Sequence, residues 1–228
     1  KVSNVNALKT RIIEGLTTYS KSTDVNKFGG RFKYSKALNI IDDIDTAITS
    51  NITRVKIRRN LRAVLNSFAQ YELCFGNKFR INQEGKNIKS TGFTIEGENE
   101  IVYITDIPNK DNNGNLDGSG LGVISIVRED SLRNTVVVVK SAGTVDYIHG
   151  EIILTTVNIT STVKENNVIE IQAFPDSNDV VGLKDLYLDF SISNSTINMV
   201  KDTITSGEQI SGVGFKVTSS YSNGELTR

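Results

Sequence analysis

The sequence predicts an α+β fold, with two N-terminal helices packed on a mainly antiparallel sheet, followed by a β-rich region. Three observations predict it. Apolar residues recur at spacings of three and four through the first 48 positions. From Ile52 the period changes to two. Helices come first and strands afterwards, which argues against the alternation of a parallel βαβ fold. Three parts are expected: a helix–helix–strand α+β domain over 1–82, a β-rich domain over 83–178, and a C-terminal strand and loop segment over 179–228.

The first helix is expected over residues 3–20. Val5, Leu8, Ile12 and Leu16 form one stripe, and Ser3 or Asn4 can cap it. A polar run ending in Gly29-Gly30 breaks it. Ser35 then offers a cap for a second helix over 36–48, with Ala37, Ile40 or Ile41, Ile44 and Ile48 as its apolar stripe. Asp42, Asp43 and Asp45 fall away from that stripe.

Beyond Ile52, Val55 and Ile57 face one way and Arg54, Lys56 and Arg58 the other. Residues 68–75 alternate again, and strands are expected at 88–95 and 100–105. Residues 109–120 form a polar loop. Strands follow at 123–127 and 136–139. The latter is a continuous valine run, expected to be covered on both faces. A hairpin is expected over 144–155, turning at His149-Gly150. A strand over 168–174 stops at Pro175. Residues 183–190 suit a strand or a short helix equally. After the apolar stretch 197–204 the text is rich in Gly and Ser, and this end is expected to order against a partner.

Composition narrows the class. The chain has 228 residues, 38% of them apolar, with 18 glycines and no tryptophan. These figures exclude collagen, a disordered tail and a disulfide scaffold. The 65 Asn, Ser and Thr residues suit sheets joined by polar connections. Twenty-six basic residues balance 26 acidic ones, so the global basic excess of a nucleic-acid binder is absent. No run of 18 apolar residues exists, so membrane insertion is not expected. The one methionine is Met199, and a fragment lacking an N-terminal part is expected.

Chemistry candidates are few. The single histidine, His149, precedes a glycine in a turn and has no partner for a triad. Cys74 lies on a half-buried strand with nothing to activate it. Asp42, Asp43 and Asp45 sit too close together on a helix to converge on one ion. Asp111, Asn113, Asn115 and Asp117 imitate a calcium loop, but Leu116 stands where Gly is required and Gly122 where a bidentate Glu is required. Gly118, Gly120 and Gly122 precede a strand, not the helix a phosphate turn needs. The basic row Arg54, Lys56, Arg58 and Arg59 lacks the aromatic interleaving of a single-strand binder. No metal, cofactor or catalytic residue is assigned, and no enzyme is expected.

The wording of several stretches carries a resemblance. Arg31-Phe32-Lys33-Tyr34-Ser35-Lys36, Ile40-Ile41-Asp42-Asp43-Ile44-Asp45, Ala47-Ile48-Thr49-Ser50-Asn51 and Val55-Lys56-Ile57-Arg58 run in order. So do Gly143-Thr144-Val145-Asp146-Tyr147, Gly150-Glu151-Ile152-Ile153-Leu154, Gly212-Val213-Gly214-Phe215 and Thr218-Ser219-Ser220-Tyr221. Together they resemble the C-terminal half of baseplate wedge proteins from T-even-type contractile-tailed bacteriophages, within the broader baseplate J-like family.

The resemblance implies a structural component of the phage tail baseplate, a virion protein assembled in the host cytoplasm. It implies a homodimer, with pairs building a wedge ring around the tail hub and joining other baseplate wedge proteins. It implies no cofactor. Arg54, Lys56 and Arg58 on one side, and Asp42, Asp43 and Asp45 on the other, carry opposite signs and are the interface candidates. The alternative reading is a glycan- or surface-binding β-rich adhesin module. A hydrolase using two unlocated carboxylates is the third.

Overall fold

The computed structural model describes residues 4–132, 134–200, 221–222 and 225–226. They fall into two compact units, Lys1–Thr196 and Ile197–Arg228. In the first unit two helices near the N-terminus pack with a large antiparallel sheet, so the fold is α+β.

Helix α1 spans Val5–Ser20. The Asn4 carboxamide oxygen accepts the amides of Asn6 and Ala7, which supplies the expected cap. Leu8, Ile12, Leu16 and Tyr19 are its buried face. Strand β1 is Arg31–Phe32. Helix α2 spans Tyr34–Asp42, beginning two residues before the expected start and ending six before the expected stop. Ser35 lies inside it, and Lys33 stands at the cap without a side-chain bond. The early stop has a local cause. Asp45 accepts the amide of Ala47 two residues on, a turn that competes with helix. Helix α2 approaches α1 closely at Gly15, where a Cβ would lie 3.1 Å from Ile40 and 3.2 Å from Ile44.

The sheet takes the strands β2 Ile57–Arg62, β3 Phe68–Cys74, β4 Lys89–Ser90, β5 Phe93–Ile95, β6 Tyr103–Pro108, β7 Leu121–Glu129, β8 Thr135–Asp146, β9 Glu151–Thr162 and β10 Val168–Ala173. The order is β2-β10-β4-β6-β7-β8-β9-β3, with β5 pairing β9, and every pairing is antiparallel. Strands β2 and β3 stand at opposite ends of this path, yet only residues 63–67 join them. The sheet therefore curls until its ends meet. The Arg59 guanidinium donates to the Cys74 carbonyl across them, and the Val64 amide donates to the Tyr71 hydroxyl at 3.0 Å.

The sheet corrects several expectations. Residues 52–56 are irregular, and the strand begins at Ile57. The strand expected over 88–95 divides at Thr91-Gly92, because β4 and β5 pair with different neighbours. The strand expected at 100–105 lies at 103–108. The valine run 136–139 and the first arm of the hairpin are one strand, β8. Its valines are not covered on both faces: Val137 is 51% exposed and the other three are half-buried. The reason is that β8 pairs with β9 only from Gly143 to Asp146, and β7 alone accompanies the rest. The expected hairpin is present, with Asp146 opposite Glu151.

Residues 183–190 are neither strand nor helix. After β11, Val180–Val181, which pairs with β1, they tie down the helical end of the unit. The Gly29 amide donates to the Leu183 carbonyl at 3.0 Å, and the Phe28 and Tyr187 rings pack at a tilt, their centres 4.2 Å apart. Phe190 closes an aromatic cluster with Tyr19 and Phe32. In the second unit β12, Tyr221–Ser222, pairs with β13, Glu225–Leu226. Residues 197–200 are irregular, and the remainder of the stretch 197–204 lies outside the described residues.

Inside the curled sheet, Ile88, Ile104, Ile124, Ile152, Ile169 and Ile171 are fully buried. Among the described residues three polar side chains are buried, Asn87, Asp106 and Ser125, the last donating to the Lys140 carbonyl at 2.8 Å. Asp106 accepts the Tyr147 hydroxyl and the Ile88 amide, both at 2.6 Å. Asn87 donates to the Arg80 and Phe174 carbonyls and accepts the Phe174 amide. Asp106 and Asn87 hold the connection before β4 against the sheet. Among the described residues no helix is long and apolar enough to cross a membrane.

Candidate assembly interface

The charged residues singled out in the sequence lie along residues 42–58, where α2 ends and the chain runs to β2. The structure divides them into two groups. Arg58 points across its own sheet: its guanidinium lies 3.2 Å from Glu170, which Lys164 also approaches at 3.6 Å. Asp45 is likewise occupied. Arg11 pairs with it at 3.0 Å and also donates to the Ile44 carbonyl, pinning the turn after α2 to α1. The Ala47 amide and the Arg11 guanidinium hold the Asp45 carboxyl below its ordinary range.

The other four face outward. Asp42, Asp43, Arg54 and Lys56 are exposed. The Asn51 side-chain carboxamide donates to the Asp42 carboxylate, which places the end of α2 beside residue 51. Lys56 lies 5.3 Å from the centre of the Phe174 ring. Among the described residues Arg54, Lys56, Asp42 and Asp43 form no ion pair.

Between these charges stands Ile52, 91% exposed. Its period-two context predicts a strand here, whereas residues 52–56 are irregular. The polar run Thr49-Ser50-Asn51 before it is the signal that argues for a loop instead. Its neighbours are fixed: Thr53 bonds the Asn51 carboxamide oxygen at 3.2 Å, and the Tyr34 hydroxyl donates to the Thr53 carbonyl at 2.9 Å.

The remaining candidates serve the fold. His149 lies 2.8 Å from Asp146, whose other oxygen accepts the amides of Ile148 and His149, so both residues close the β8–β9 turn. The Asp146 carboxylate raises the His149 pKa. Cys74 sits opposite Glu151, with its sulfur 3.7 Å from the carboxylate. Asp111 accepts the amides of Asn113 and Asn115, and Asp117 accepts the Ser119 amide and hydroxyl, so the polar loop uses these carboxylates in its own turns. Gly122 lies in β7 opposite Pro108.

Two grooves mark the sheet. One, of about 380 Å³, opens where β8 leaves β9, beside Phe68, Val139 and Val157, with Glu96 its one carboxylate. The other, of about 280 Å³, follows the meeting of β2 and β3, with Glu72 its one carboxylate. Two carboxylates facing a common bond, as glycoside hydrolysis needs, occur in neither.

Compared with known families, residues 2–60 match the baseplate structural protein gp6, C-terminal domain III. None of the curated proteins compared matches the chain. The matched stretch contains α1, β1, α2 and the whole charged segment up to β2. Residues 2–60 are thus similar to the gp6 C-terminal domain III, a similarity consistent with a baseplate wedge protein of contractile-tailed phage and with a structural role in the virion tail.

Proposed function

We propose that the chain is a building block of the phage tail baseplate that associates in pairs, the pairs forming the wedge ring around the tail hub and joining other wedge proteins. Assembly in the host cytoplasm precedes incorporation into the virion. The observation that carries this reading is the match of residues 2–60 to a baseplate domain. Within the matched stretch, exposed charges of both signs with no ion pair among the described residues flank a segment tied down by the Tyr34–Thr53 and Asn51–Asp42 hydrogen bonds. A ring that holds and then rearranges suits interfaces with polar rims.

Mass in solution by light scattering, over a tenfold or wider concentration range, tests the pairing. A dimer is expected, and a strict monomer overturns it. Reversal of Arg54, Lys56 and Arg58 to Glu is expected to abolish pairing while the monomer stays folded. Because Arg58 already serves Glu170, the double variant Arg54→Glu/Lys56→Glu is expected to suffice. Unchanged mass in both variants would remove these residues from the interface.

A further inference from the structure

We infer that Ile52 is the centre of the surface through which two copies of this chain pair, with Asp42 and Asp43 of each copy facing Arg54 and Lys56 of the other. This rests on the pairing reading above and specifies where the contact lies.

The first argument is the exposure of Ile52. At 91% exposed it is nearly as open as an isoleucine can be. A single exposed apolar residue is ordinary on a protein surface. This one differs in how it is held. Asn51 before it is bonded to Asp42, and Thr53 after it is bonded to Asn51 and to Tyr34. The segment cannot fold Ile52 inward without losing these bonds. A segment whose neighbouring residues are already tied down loses less backbone freedom on association, which favours its use as an anchor.

The second argument is the order of charge around it. The acids Asp42 and Asp43 adjoin its N-terminal side through the Asn51 bond, and the bases Arg54 and Lys56 follow on its C-terminal side. A two-fold interface is self-complementary: if residue i of one copy meets residue j of the other, j also meets i. An acid group and a basic group flanking one apolar residue satisfy that requirement. Turning a second copy about an axis near Ile52 places acid against base twice and isoleucine against isoleucine once. The result has an apolar centre and a charged rim, the usual anatomy of a specific contact. A partner with one sign of charge would satisfy only half of this surface, so a second copy is the occupant.

The test combines one apolar substitution with a charge exchange, both read by sedimentation equilibrium on the full chain. Ile52→Arg is expected to weaken pairing by about tenfold or more, and, because Ile52 is exposed, to leave the single copy folded, with an unchanged far-ultraviolet circular dichroism spectrum. Asp42→Lys/Asp43→Lys and Arg54→Glu/Lys56→Glu are each expected to weaken self-pairing. Mixed in equal amounts, these two variants regain opposite signs at both contacts and are expected to form a mixed pair. If the unaltered chain pairs and Ile52→Arg pairs as tightly, the contact lies elsewhere and the inference fails while pairing stands. If the charge variants remain apart when mixed, the reciprocal arrangement fails. If the unaltered chain is monomeric at every concentration, both fail together.

Discussion

Asp106 is fully buried, and its carboxylate accepts from the Tyr147 hydroxyl and the Ile88 amide. Burial raises its pKa above 3.8, more than these bonds lower it, and the same burial, with the Asp106 charge, pushes the Tyr147 phenol upward. The native chain therefore holds the Asp106 proton more tightly than the unfolded chain does. This contribution to stability is complete below pH 3.8 and declines as pH rises from there through the higher native value. Asp106→Asn is expected to flatten that part of the pH dependence of urea unfolding. Asp106→Ala strands a buried hydroxyl and a buried amide, and is expected to lower the unfolding free energy by about 3 kcal/mol. At the surface, Asp146 raises the His149 pKa above 6.5. Its contribution to the turn is present below pH 6.5 and fades as pH rises through the raised value. Titration followed by NMR is expected to place the His149 midpoint above 6.5, and Asp146→Asn is expected to lower it.

Single elements depend on close backbone approach. Gly143 lies where β8 begins to pair with β9, and a Cβ there would stand 2.0 Å from the Ile153 carbonyl oxygen. Gly143→Ala is therefore expected to cost about 3 kcal/mol and to lower the melting temperature. Ala at Gly114, where nothing lies within 4 Å but φ is positive, would act through backbone strain alone. Such approaches are invisible in a sequence, since they depend on residues far along the chain. What was legible depended on local chemistry. The α1 stripe and its Asn4 cap are local, and so is the β8–β9 turn. The end of α2 is not legible because Asp45 looks like a helix-face acid, whereas its bonds to Ala47 and Arg11 fix a turn after the helix ends at Asp42. The valine run of β8 reads as a buried strand, and its exposure follows from β9 taking β5 as a partner beyond the point where β8 departs. In the charged segment the residues were legible, but their pairing was not. Which of the cations and acids were already satisfied depended on Glu170 and Arg11, partners more than 30 residues away in sequence.

At the scale of the molecule, equal numbers of acids and bases leave no net repulsion between copies. Association is then decided by where unpaired charge is placed, and salt is the means of separating charge from apolar contact. Exposed charges interact over a Debye length of about 10 Å at 0.1 M salt and about 3 Å at 1 M. A pair held by Asp42, Asp43, Arg54 and Lys56 around Ile52 is expected to weaken as salt rises, yet not to vanish, because burial of Ile52 does not depend on charge. The Arg54→Glu/Lys56→Glu variant is expected to show the opposite trend, with residual pairing that strengthens as salt screens acid from acid. Ile52→Arg is expected to leave a weak association that salt abolishes or reverses. Sedimentation of the three proteins across that salt range separates the contributions. A salt response identical in all three would mean that the pairing surface lies away from residues 42–58.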